Sequence, residues 1–217
     1  MNWLDWVGDL LRQFSPWELV AAGLGFLNVG LLVRRSVWNY PFGLAMVTVY
    51  FFVFRDVHLY SDMLLQIFFF VVQLYGWWSW VRAKQAAGEV QVDLLGNRDR
   101  ALLIAATAAV SLVLGWVMAN LDWIMANLGW VVTDYTPAAS PYVDASIAGM
   151  SITAQLLLAW RKLENWVLWI VTDIVAIGLY VSKGLTPTAV LYAIFLILSL
   201  IGLIDWRRKL AAQGKPA

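Results

Sequence analysis

Asp173 is the residue most in need of a reason. It stands about eight residues into an apolar run that opens Asn165-Trp166-Val167-Leu168-Trp169 and continues to Tyr180. At that depth in a membrane helix a carboxylate costs around 3 kcal/mol unless it faces water or a partner. Trp166, Trp169 and Asp173 follow the i, i+3, i+7 spacing that sets side chains on one helical stripe. Two indoles leading to an acid make a site for a flat, cationic or hydrogen-bonding ligand, because aromatic faces attract cations and stack on planar rings. A Trp at the end of a span also serves as an interfacial anchor, which accounts for Trp166 alone but not for Asp173. Further upstream, Gln66 and Gln73 lie seven residues, or two turns, apart and share a face with Met63, Phe70 and Trp77. Amides in hydrocarbon either line a cavity or bridge to a neighbouring helix for about 1 kcal/mol. Asn28 and Gln155 present the same choice, and Asn39 adds one more amide at the start of a run.

Other chemistries lack their residues. There is no cysteine, so disulfides, iron–sulfur clusters and thiolate metal sites are excluded. No G-x-x-x-x-G-K-[ST], H-E-x-x-H or G-x-S-x-G occurs, and His58 is the one histidine, expected in a solvated loop. The sequence therefore offers no catalytic group set, no metal site and no cofactor site, and ATP-driven transport by this chain is not expected. A net charge of +1, with basic residues in short clusters, argues against nucleic acid as a partner.

The elements that must position these residues are membrane spans. With 62% hydrophobic and 13% charged residues and a mean hydropathy of +0.71, the chain has the composition of a protein whose solvent is the lipid bilayer. Seven apolar runs, 17–34, 40–54, 59–81, 101–119, 142–160, 165–182 and 186–206, are bounded by charge or turn residues. The fold class expected is an all-α integral membrane protein. Residues 38–82 and 164–208 superimpose at a constant offset of 126: Asn39 falls on Asn165, Leu59 on Leu185, Gly76 on Gly202, Trp80 on Trp206 and Arg82 on Arg208. Each copy is long enough for three spans, so seven helices are expected as two three-helix repeats joined by a linker helix, 3+1+3. The odd linker makes the repeats parallel, the symmetry class in which substrates bind near the midplane between halves. The divisions expected are 1–16, an interfacial helix with Trp3 and Trp6 at headgroup depth; 17–82, the first repeat; 83–141, a polar linker, the linker span and an interfacial helix with a turn; 142–208, the second repeat; and 209–217, a tail. Twelve Lys and Arg fall on one side of this arrangement and three on the other, which predicts a cytoplasmic C-terminus and an external N-terminus.

Several segments carry a resemblance. Trp38-Asn39-Tyr40-Pro41-Phe42-Gly43, Leu59-Tyr60-Ser61-Asp62-Met63-Leu64-Leu65-Gln66 and Tyr75-Gly76-Trp77-Trp78-Ser79-Trp80 belong to the first half. Ala154-Gln155-Leu156-Leu157, Lys162 to Ile170 with its W-x-x-W block, and Gly202-Leu203-Ile204-Asp205-Trp206 belong to the second. Together these resemble the PnuC family of vitamin transporters, specifically those for nicotinamide riboside. The resemblance implies a SWEET-like fold, a homotrimer in the cytoplasmic (inner) membrane, and passage of unphosphorylated nicotinamide riboside down its gradient, with a cytoplasmic kinase trapping it. It implies binding roles for Trp166 and Trp169, then Gln66, Gln155 and Asn165. Stacking on indole suits a pyridinium ring, while Gln66, Gln73, Gln155 and Asn39 can meet the ribose hydroxyls and carboxamide; Asp173 and Tyr180 complete the expected site. Thiamine, another cationic aromatic, is the rival substrate. A seven-span receptor and a membrane enzyme with Asp173 as base are the rivals from other classes.

Overall fold

The computed structural model describes residues 5, 8, 9, 11–56, 60–127 and 140–214. Trp3, Trp6, His58, Leu59 and residues 128–139 and 215–217, which carry several of the expectations above, lie outside them. The described residues form eight helices: α1 (Pro16–Val33), α2 (Asn39–Asp56), α3 (Tyr60–Ala87), α4 (Asn97–Ala119), α5 (Leu121–Asn127), α6 (Pro141–Ala159), α7 (Glu164–Ser182) and α8 (Thr186–Ala212). No named strand occurs among them.

Local chemistry sets the helix ends. Ser15 caps α1 through a capping box: its Oγ accepts from the Glu18 N–H at 3.2 Å, and Glu18 Oε2 accepts from the Ser15 N–H at 2.7 Å. Proline opens α1 and α6 and sits in the first turn of α8, where a missing donor costs nothing. α1 and α6 end in an unusual way. Arg35 (φ 54°) and Arg161 (φ 59°), 126 residues apart, both adopt the left-handed conformation normally given to glycine. In each, the chain folds back in a Schellman pattern: Ser36 N–H donates to Leu31 O at 3.0 Å and Lys162 N–H to Leu157 O at 2.8 Å.

Six helices (α1, α3, α4, α6, α7 and α8) are long and apolar enough to cross a membrane. The seventh expected span, 40–54, is helical within α2, but Asn39, Tyr40 and Pro41 at one end and Arg55 and Asp56 at the other leave it less apolar than those six. α3 and α8 run past the expected ends of their spans, to Ala87 and Ala212, and carry Arg82, Lys84 and Arg207 to Lys209.

Helix contacts close a ring in the order α1, α2, α3, α6, α7, α8 and back to α1, with α4 packed outside against α6. The two contacts that join the halves, α3 with α6 and α1 with α8, exchange under the 126-residue offset. So do their details. Trp80 Nε1–H donates to Leu158 O at 3.1 Å and Trp206 Nε1–H to Leu32 O at 3.3 Å, while the two indoles meet each other at 5.9 Å. Tyr40 stands edge-on to Trp80 (5.4 Å, 87°) as Trp166 does to Trp206 (5.6 Å, 85°). Arg35 pairs with Asp205, and Arg161 Nη1 donates to Ser79 Oγ at 2.7 Å, Ser79 and Asp205 also being 126 apart.

These contacts gather at one end, where α1, α3, α6 and α8 finish and α2 and α7 begin. It holds the main apolar cluster: Leu32, Tyr40, Trp80, Leu158, Trp166, Trp206 and Leu210. The segment expected as a plain polar linker contributes to it. Val90 and Val92 are 4% and 0% exposed within the cluster, and the segment lies across the end as a strap. Lys209 binds Glu89, Lys162 Nζ meets Asp93 Oδ2 at 2.9 Å, and Asp93 exchanges backbone hydrogen bonds with Arg161 O (3.0 Å) and Leu163 N–H (2.9 Å). Glu164 then accepts from the Leu95 N–H at 3.0 Å and from the Arg100 Nε–H at 2.9 Å.

Candidate functional site

Between the strapped end and the far end, the ring carries a layer of polar side chains. Gln73 and Ser199 mark it, at the middle of α3 and α8 and 126 residues apart. Ser199 Oγ donates to Asp173 Oδ2 at 3.0 Å, with both residues buried. Asp173 therefore has one hydroxyl partner and no cation, as none of the ion pairs among the described residues involves it. Gln73 and Gln155 are also buried, at 4% and 8% exposure, and among the described residues neither amide bonds to another protein group. Buried amides normally find partners. Two without them, on helices adjacent in the ring, leave donors and acceptors for a guest.

Gly43 shows why the halves differ. A methyl group added there would run into Gln73 Oε1 from α3 and lie 2.5 Å from Asn28 Nδ2 of α1, so the two amides lean over bare backbone. Asn28 is held in place by donating from Nδ2 to Asn39 O at 2.7 Å. At the equivalent position of α7 stands Trp169, whose indole is half-buried. One half thus has an indole where the other has a glycine covered by two amides.

The other expected residues are placed as follows. Trp166 is 1% exposed and sealed into the end cluster over Gly202, where a Cβ would fall 2.5 Å from its ring, so Trp166 and Trp169 differ in access. Its Nε1–H, Asn165 Oδ1 and Thr172 Oγ1, all on α7, are buried without hydrogen-bond partners. Asn165 Nδ2 donates to Lys162 O at 2.6 Å, and Asn39 Nδ2 makes the matching bond to Ser36 O, also 2.6 Å; both brace helix starts. Gln66 Nε2 donates to Asp62 O at 3.3 Å and lines an apolar cavity of about 180 Å³ between α2 and α3 with Thr48, Phe51 and Phe70. Tyr180 stacks on Tyr192 (5.3 Å, 28°), and a Tyr192–Phe195–Phe26 chain continues from α8 to α1. The 126-residue offset matches Tyr40, Gly43 and Val47 to Trp166, Trp169 and Asp173, so the sequence already marks the first copy as the one that keeps shape while the second carries the polar and aromatic groups. No group of three or more metal-ligating side chains occurs among the described residues.

An indole, two amides without protein partners and an acid held by one hydroxyl have the chemistry to bind a planar polar molecule. A family model described as "Nicotinamide mononucleotide transporter" matches residues 15–208. The chain belongs to this family, the PnuC family. It is a family of membrane transporters and not of enzymes. Among its curated relatives, the nicotinamide riboside transporter PnuC of Escherichia coli K12 is 30% identical over 212 residues, covering 92% of this chain and 88% of the relative. The nicotinamide riboside transporter PnuC of Neisseria mucosa is 32% identical over 87% of this chain and 71% of its own. The riboflavin/roseoflavin transporter RibM of Streptomyces davaonensis is 31% identical over 100% of this chain and 97% of its own. A crystal structure of the vitamin B3 transporter PnuC superimposes with a TM-score of 0.72 at 27% identity, covering 96% of this chain and 88% of that one.

Proposed function

We propose that this family member is a nicotinamide riboside facilitator that binds its substrate inside the six-helix ring. The observation that carries the reading is the buried polar set of the ring: the Gln73 and Gln155 amides without protein partners and the cation-free Asp173 bonded to Ser199, with Trp169 at the repeat position of Gly43. Nicotinamide riboside joins a cationic pyridinium, which suits an indole face and a carboxylate, to a carboxamide and ribose hydroxyls that need donors and acceptors. Trp166, Asn165, Asn39, Gln66 and Tyr180 belong to the same site, bracing or extending it. Micromolar affinity, about 8 kcal/mol, is enough for a carrier that must also let go.

The accompanying architecture is seven spans in a 3+1+3 order, α2 included, with 17–82 and 142–208 as parallel repeats and 83–141 as the connection. The basic end faces the cytoplasm of a cell whose inner membrane holds the protein, with the N-terminus outside; the twelve-to-three split of basic residues supports this. The family resemblance supports a SWEET-like homotrimer working by facilitated diffusion, with a cytoplasmic kinase that retains the imported nucleoside. Riboflavin is the second reading, favoured by the riboflavin relative being as similar as the others; thiamine is the third. Titrating the purified protein with nicotinamide riboside, riboflavin and thiamine decides among them. Saturable binding of the first alone is expected, and binding of riboflavin alone would transfer the assignment.

A further inference from the structure

The two arginines that end α1 and α6 are equivalent in backbone, in position and in the helix they reach, yet not in charge balance. Arg35 meets a carboxylate, Asp205. Arg161 meets the neutral Ser79, through its hydroxyl at 2.7 Å and its carbonyl at 3.4 Å, and no ion pair among the described residues includes it. This half-buried guanidinium therefore has no carboxylate opposite it to offset its charge. It lies in a groove of about 310 Å³ between the ends of α3 and α6, with Lys162 beside it and the strap forming one wall. Asp93, the acid in that wall, is taken by Lys162 at 2.9 Å. The outer rim is aromatic: Tyr75 is 44% and Trp160 41% exposed.

From this combination we infer that the groove holds the phosphate of an anionic membrane lipid, with Arg161 as its principal ligand. Exposed Tyr and Trp mark headgroup depth in a spanning protein. A basic pocket between helices at that depth is the arrangement that retains acidic headgroups. Guanidinium matches phosphate in a bidentate fork, and in this geometry Ser79 occupies only part of it. An acyl tail leaving the groove passes along the exposed apolar face of α3, where Val71, Leu74 and Trp78 are uncovered. No such site is expected at the Arg35 seam, because Asp205 already neutralises it. The inference needs only that the bundle sits in a membrane and does not depend on which vitamin is carried.

Ser79→Asp tests it with little risk to folding, since it copies the Arg35–Asp205 pair already present in the other half. Detergent-purified full-length protein is titrated with phosphatidylglycerol or phosphatidylcholine and read by native mass spectrometry. Wild type should retain phosphatidylglycerol in preference, and Ser79→Asp should retain roughly fivefold less, as expected for one cancelled surface charge near a headgroup. Vitamin binding should be unchanged. Arg161→Gly, which keeps the left-handed backbone without strain, should give the same loss. Equal phosphatidylglycerol retention by wild type and both variants overturns the proposal. So does displacement by millimolar inorganic phosphate with no preference for lipid charge, which would make the groove a site for a soluble anion.

Discussion

Trp169 and Gly43 hold the same place in the two sequence copies, and the difference between an indole and a hydrogen atom makes the two sides of the proposed site unlike. Trp169→Ala should weaken nicotinamide riboside binding by over about tenfold, within the roughly 1–3 kcal/mol that base-on-indole stacking contributes. Calorimetric titration checks this, and an unchanged affinity would move the ligand ring elsewhere. Gly43→Ala tests the opposite wall: its methyl has to displace the Gln73 and Asn28 amides. Overpacking of this kind costs about 1–3 kcal/mol. The variant should elute as the wild-type assembly on size exclusion yet bind about tenfold more weakly, and full affinity would show that the amides do not touch ligand. Much of this was legible in advance. The glutamine spacing and the burial of Asp173 follow from polar residues having to turn away from hydrocarbon. Access was not legible, because Trp166 and Trp169 share a spacing and a residue type, and only the presence of Gly202 under the first decides that it packs inward.

Among the elements, the strap changes most between sequence and structure. Residues 83–100 are polar and charged on average, which reads as a connection, and the average conceals Val90 and Val92, two buried positions on an alternating segment with no regular strand around it. Periodicity over so few residues carries little signal. Val92→Asp would put an unpaired carboxylate into the cluster, a change that costs several kcal/mol when the group has no partner. The strap should then detach. Limited proteolysis should cut within residues 88–96 markedly faster than in wild type, and an unchanged rate would mean that its ion pairs alone hold it down. The helix pairing was better prefigured, since the 126-residue offset already matched Trp80 to Trp206. Because each indole donates to the carbonyl of the other half, Trp80→Phe and Trp206→Phe should each lower the melting temperature in detergent by similar amounts, from about 1 kcal/mol per lost bond. Thermal denaturation followed by tryptophan fluorescence reads both, and a loss confined to one variant would break the equivalence.

For the whole molecule, the consequence of carrying a cation is electrical. An inside-negative potential favours inward movement of one positive charge by around 2.3 kcal/mol per 100 mV. Collapsing the potential in proteoliposomes should slow uptake of nicotinamide riboside, while collapsing only a pH gradient at fixed potential should not. Equal sensitivity to the pH gradient would indicate proton symport. Among the described residues Asp173 is the one buried acid, and in the proposed site it would match the travelling charge without a relay of further acids.

The reciprocal bonds from Trp80 to Leu158 and from Trp206 to Leu32 have an implication for ancestry. Contacts that swap into one another under a two-fold operation are those of an isologous pair, in which a surface recognises its own copy. In the proposed arrangement of two parallel three-helix repeats, the chain is built like a self-associating three-helix protein whose subunits have been tethered. Once joined, the two sides were free to drift apart wherever the seam was not involved, as they have at Gly43 and Trp169.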